Sequence, residues 1–181
     1  MTSLVASSAQ AAHSIAVSLL AKAQAQPGST IPEHSVKETA PNTLVPLALK
    51  PGKTVIVGVP GAFSGTCTAQ IPGYIKNYDN FKAKGVNEVY VVAVNDAFAM
   101  KAWKEQLAPE GTGVRFMADD KGTFTSSLGL MFDATAVFGA PRSKRYVIIA
   151  DNDKVESIFI EEDPTKVTIT GAETILSHLV S

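Results

Sequence analysis

Cys67 is the only cysteine in the 181-residue chain, and the residues before it carry a pattern suited to nucleophilic chemistry at sulfur. The segment Pro60-Gly61-Ala62-Phe63-Ser64-Gly65-Thr66-Cys67 follows the β-branched run TVIVGV at 54–59 and leads into a stretch with helical spacing. A cysteine in the first turn of a helix faces unpaired backbone N–H groups and the positive end of the helix dipole, and both favour thiolate over thiol. Thiolate is the form that attacks the O–O bond of a peroxide. In an open α/β sheet, the edge where strands end and helices begin is also where ligands bind.

Three further groups complete that chemistry. Ser64, one helical turn before Cys67, can place a hydroxyl beside the sulfur, accepting from the peroxide and donating where charge develops. The same serine is also expected to cap the helix with its side chain. Pro60, with a rigid ring and no N–H, serves as a shield against bulk water and against oxidation beyond the sulfenic acid. A guanidinium from elsewhere in the fold would hold the thiolate and the peroxide oxygens together. Arg142 and Arg145 are the candidates, and Arg145 is preferred because it opens a predicted strand.

Elements at regular intervals position these residues. The runs at 54–59 and 88–94 (EVYVVAV) predict buried central strands. Between them, Tyr74, Ile75, Tyr78 and Phe81 predict one helix over 67–84, stopped by Gly85, with Pro72 kinking it. Asp96 caps a helix carrying Phe98, Ala102, Trp103 and Leu107, followed by a short strand at 114–118 and a short helix at 124–128. Segments 145–150 and 155–160 flank the turn Asp151-Asn152-Asp153 and read as a hairpin, and a last helix covers 171–180. The alternation predicts an α/β thioredoxin-like fold, a mixed central sheet flanked by helices. The organised domain spans 29–181, after a 1–28 extension rich in Ala and Ser that reads as a targeting or helical segment. Residues 31–49 read as an irregular lead-in with at most short strands.

Composition narrows the function classes. Sixteen basic and 17 acidic residues leave a formal charge of −1, and no basic stretch interleaves with aromatics, which argues against nucleic acid as a partner. No segment reads as a membrane span. One cysteine excludes an internal disulfide and suits a reducing compartment, cytoplasmic or alternatively mitochondrial. His13, His34 and His178 lack metal-ligand spacing, and Gly52-Lys53-Thr54 precedes a strand where a phosphate loop needs a helix, so no metal or cofactor is called for. The acidic run Glu161-Glu162-Asp163-Pro164 reads as a solvated loop, and Phe63, Phe98 and Trp103 as packing residues, with Phe63 near enough to Cys67 to line a mouth or a dimer contact.

The segment PGAFSGTCTAQIPGY resembles the active-site loop of the peroxiredoxins, and VNDAFAMKAW at 94–103, SKRY at 143–146 and the closing VTITGAETILSHL resemble the fifth-class or type II subgroup. The resemblance runs from about residue 30 to the end. It implies a thioredoxin-like fold, a homodimer, and reduction of hydrogen peroxide and alkyl hydroperoxides, with Cys67 peroxidatic, Ser64 the hydroxyl partner, Pro60 the shield and Arg145 the arginine. Ser64 stands where most members have Thr, and Gly65 where Pro is common. Relatives that resolve their own sulfenate carry a second cysteine, whereas this chain has apolar residues near Ile169 and Val91. The chain thus resembles the one-cysteine variant, recycled by an external thiol: glutathione with glutaredoxin, or thioredoxin. The competing reading is a thioredoxin-like peroxide sensor or chaperone that passes oxidation to a partner protein.

Overall fold

The computed structural model describes Leu20 and residues 22–47 and 51–179. In chain order its elements are β1 (Ser35–Lys37), β2 (Leu44–Pro46), β3 (Lys53–Gly58), α1 (Gly65–Lys76), α2 (Tyr78–Ala83), β4 (Val86–Ala93), α3 (Ala97–Leu107) and β5 (Arg115–Ala118). Then come α4 (Thr123–Ser127), β6 (Met131–Phe132), α5 (Thr135–Phe138), β7 (Arg142–Ser143), β8 (Tyr146–Asp151), β9 (Lys154–Ile160) and α6 (Ala172–His178). Seven strands form one sheet in the order β2-β1-β5-β4-β3-β8-β9, while β6 and β7 pair separately. Strand β3 runs parallel to β4 and antiparallel to β8, so the sheet is mixed as the sequence pattern predicts.

Strand residues alternate between two cores. Val55, Val57, Val89 and Val91 face Ile71 of α1, Met100 and Trp103 of α3 and Ile175 of α6. Ile56, Tyr90, Val92 and Ile148 face Phe124 of α4, Ala25 and Ile31. Both faces of the central strands are covered, which is why their sequences are almost continuously apolar. Each fully buried Val or Ile contributes about 1.5–3 kcal/mol of burial energy. The packing leaves no space at Gly58, which pairs with Tyr146 across β3 and β8. A Cβ there would lie 2.0 Å from Tyr146 Cε1. Gly58→Ala should therefore destabilise the fold by about 2–3 kcal/mol through overpacking, read as a lowered urea midpoint; an unchanged midpoint would contradict the packing described.

The single helix predicted over 67–84 is two helices. Asn77 ends α1, its N–H (3.1 Å) and its Nδ2 (3.0 Å) both donating to the Gly73 carbonyl, and α2 starts on the next residue. An asparagine side chain that competes for backbone acceptors ends a helix that apolar spacing alone would continue. Gly85, at φ 79°, provides the stop after α2. Asp96 caps α3 as expected, accepting from Ala99 N at 2.9 Å. The lead-in contributes a three-residue hairpin, β1 and β2, at the sheet edge. Most of the 1–28 segment lies outside the described residues. Its last part crosses the sheet, with Ala25 N donating to Leu128 O and Gly28 N to Val155 O, both at 2.8 Å.

Candidate active site

Strand β3 delivers the chain to the sheet edge, and residues 59–64 turn it into α1. Ala62 N donates to Asn95 Oδ1 at 3.0 Å, tying this turn to the end of β4. Gly61 passes so close to Phe138 that a Cβ would lie 2.9 Å from the ring. Phe63 adopts φ 63°, in the left-handed region where a side chain is strained, and its ring sits 6.5 Å from that of Trp103 while remaining 48% exposed. The chain then enters α1 with Ser64 at the N-cap position and no acidic residue in the first turn. Cys67, third in the helix, points inward onto the core.

Cys67 has no exposed surface. The sulfur is not among the groups that line the neighbouring cavity. Its closest polar neighbour is Arg145, whose Nη2 donates to Sγ at 3.4 Å. Arg145 immediately precedes β8, is 1% exposed, and makes three further hydrogen bonds: Nε and Nη2 donate to the Pro164 carbonyl at 3.0 and 2.8 Å, and Nη1 donates to Gln70 Oε1 at 2.6 Å. Among the described residues none of its donors meets a carboxylate. Of the groups to which the guanidinium donates, the sulfur is the one able to carry a negative charge.

Arg145 also lines a cavity of about 300 Å³. Pro60, Ser64, Thr66, Phe132, Val137 and Pro164 are among its other lining residues. Three of the four residues predicted for the site, Pro60, Ser64 and Arg145, thus share this cavity, and the fourth, Cys67, accepts from Arg145. One expectation needs correction. Ser64 occupies the cap position and its carbonyl accepts the first helical bond, from Thr68 N at 2.9 Å, but its side chain makes no capping hydrogen bond. Among the described residues the serine hydroxyl has no partner, and Ser64 lines the cavity. Arg142, the other candidate, is engaged elsewhere: its Nη1 donates to the Val94 carbonyl, and its guanidinium lies 5.3 Å over the Phe138 ring.

Two residues around Arg145 escape the sequence reading. Gln70, 6% exposed and one turn beyond Cys67, accepts from Arg145 and donates from Nε2 to Thr170 O (2.9 Å) and Thr170 Oγ1 (3.0 Å). The i, i+3 spacing from the cysteine was readable, but a neutral carboxamide gives no chemical signal on its own. Glu161 belongs to the acidic run expected to be solvated, yet it is buried. Burial pushes its carboxyl upward, but hydrogen bonds from Thr168 and Thr170 outweigh that and hold it at about 2, so it is charged at neutral pH. A loop that folds back onto the carboxylate removes it from water, which charge patterning does not register.

A family model described as Redoxin matches residues 26–176. The chain belongs to that family. Within it the chain is a peroxiredoxin of the type II, fifth-class kind: it is 46% identical over 153 residues to peroxisomal membrane associated protein 20 of Schizosaccharomyces pombe, covering 84% of this chain and 97% of the relative. It is 47% identical over 128 residues to peroxiredoxin-2C of Oryza sativa subsp. japonica, covering 70% of this chain and 78% of that one. Among solved structures, reduced Prx3 from Vibrio vulnificus in complex with hydrogen peroxide superposes with a TM-score of 0.77 at 38% identity, covering 86% of this chain and all of the other. The thioredoxin-like fold expected from the element pattern is the fold of this peroxiredoxin, and its activity is thiol-dependent reduction of peroxides. Among the described residues no helix is long and apolar enough to cross a membrane.

Proposed function

We propose that Cys67 is the peroxidatic nucleophile of this peroxiredoxin, with Ser64 and Arg145 orienting the peroxide and Pro60 shielding the sulfur. The observation that carries this reading is the double role of Arg145, which lines the cavity on one side and donates to Cys67 Sγ on the other. A hydroperoxide in the cavity meets the free Ser64 hydroxyl and the guanidinium together. The thiolate attacks one peroxide oxygen; an S–O bond forms, the O–O bond breaks, and the departing oxygen leaves as water or alcohol after taking a proton. Arg145 and Ser64 stabilise the charge gathering on that oxygen. One external thiol then displaces water from the sulfenic acid to give a mixed disulfide, and a second thiol attacks that bond, releasing the thiolate and an oxidised disulfide.

Hydrogen peroxide and alkyl hydroperoxides are the proposed substrates. The apolar share of the cavity wall, from Phe132, Val137, Phe138 and Pro164, favours those with a carbon chain. Glutathione with glutaredoxin, or thioredoxin, is the proposed reductant, since the chain has no second cysteine. A homodimer is proposed on the exposed apolar side chains Phe63, Phe98 and Val137, and a cytoplasmic location, alternatively mitochondrial, on the single unpaired cysteine. The test is turnover of hydrogen peroxide and tert-butyl hydroperoxide with each reductant system, while mass spectrometry follows Cys67. Steady turnover with a transient single-oxygen adduct is expected. A single stoichiometric oxidation with neither system able to reverse it would instead favour a sensor.

A further inference from the structure

We propose that Glu161 is a positioning residue for the peroxidase site: its carboxylate closes the 162–170 segment into a strap whose carbonyls hold Arg145 against the sulfur. The inference rests on the reading of Cys67 and Arg145 as the reacting pair. Glu161 sits just past the last β8–β9 partners, Tyr146 and Ile160, and its N–H donates to the Arg145 carbonyl at 3.0 Å. The strap that follows has no helix or strand of its own. Its far end returns to Glu161. Oε1 accepts from Thr168 N (2.7 Å), Ile169 N (2.9 Å), Thr170 N (3.0 Å) and Thr170 Oγ1 (2.8 Å), while Oε2 accepts from Thr168 Oγ1 (2.5 Å).

One carboxylate thereby satisfies three successive backbone donors that no regular element would pair. Two carbonyls of the strap then bear on the guanidinium. Pro164 O accepts directly from Nε and Nη2. Thr170 O accepts from Gln70 Nε2 and from Tyr74 OH (2.6 Å), which orients the carboxamide whose oxygen takes Arg145 Nη1. Every oxygen held by Arg145 is thus set by the strap or by a residue the strap orients. Near its tip the strap is held to the nucleophile's own helix by Thr66 Oγ1, which donates to Thr165 O at 3.1 Å. Without the Glu161 charge, the 168–170 amides, in an exposed stretch except at Thr170, would turn to water and release the Thr170 carbonyl.

The experiment uses the full chain with Glu161→Gln, Thr168→Val and, as control, Cys67→Ser. Because the chain has one thiol, the pH-dependent part of iodoacetamide alkylation at sulfur reports Cys67 alone. Glu161→Gln should move that profile to higher pH and lower kcat/KM for hydrogen peroxide by roughly tenfold or more, with the far-ultraviolet circular dichroism of the parent. Thr168→Val, which removes one bond at an exposed site, should move both in the same direction by a smaller factor. Parent-like profile and rate in Glu161→Gln overturn the inference, and so does a lowered rate with an unmoved alkylation profile, since a loop clamp without influence on the sulfur predicts that pair. If Glu161→Gln does not fold, Thr168→Val decides by the same criteria. Retained activity in Cys67→Ser would instead remove the reading of the site on which the inference stands.

Discussion

Cys67→Ser should lower kcat/KM for hydroperoxide reduction by at least about 10³-fold, to the background of the assay. A serine hydroxyl at this position keeps the shape of the side chain but not the chemistry, because an alcohol is not ionised at neutral pH and oxygen is a poor attacker of the O–O bond. No other residue can stand in, since the chain has no second cysteine. The variant should keep its fold: one small atom is changed in a first turn whose neighbours Val59, Ile71 and Tyr74 pack on the same core. Loss of peroxide consumption with a retained thermal transition is therefore the expected pair of results. A variant that still turns over peroxide with thiols would mean that the nucleophile lies elsewhere, and the proposed mechanism would have to be abandoned.

Arg145→Lys should cost about 10²-fold in kcat/KM, more than the retained charge alone would suggest. The guanidinium presses one flat fork against three acceptors at once, Pro164 O, Gln70 Oε1 and Cys67 Sγ. An ammonium has a single point of charge and cannot reach all three directions from the same stem. Arg145→Met should lose at least as much rate and also slow the alkylation of Cys67 at pH 7, because the sulfur then has no cation beside it. The measurements are peroxidase kinetics and iodoacetamide rates on the same preparations. Parent-like values of both in Arg145→Met would show that the arginine is only a packing residue.

Much of this arrangement can be read from the amino-acid order. The runs at 54–59 and 88–94 are too short for helices and too apolar for edges, and they became the central strands β3 and β4. The loop from Pro60 to Cys67 drew attention through its residue types, a proline, a hydroxyl and a lone thiol at a strand-to-helix junction, and Pro60 and Ser64 share a cavity with the Arg145 that donates to Cys67. Arg145 was chosen over Arg142 by its place before a strand, and the geometry separates the two cleanly. The rest depends on contacts made by distant parts of the chain. Asn77 breaks a helix through a side-chain bond that apolar spacing does not encode. Glu161 looked like part of a wet acidic loop because nothing in Glu-Glu-Asp-Pro states that the next residues fold back upon the first. Ser64 looked like a side-chain cap, the usual fate of serine there, yet its side chain makes no capping bond and the residue lines the cavity.

The missing carboxylate around Arg145 links the oxidation state of this chain to how tightly it is closed. On the proposed reading, the cation is balanced only while the sulfur is anionic. On that reading, once an oxygen is added and the product is neutral, none of the acceptors held by the guanidinium is charged, and the strap and the first turn of α1 are held less firmly. The same reading makes the spent protein easier to open than the fresh one, so that the event which calls for reduction also eases the approach of the reducing thiol.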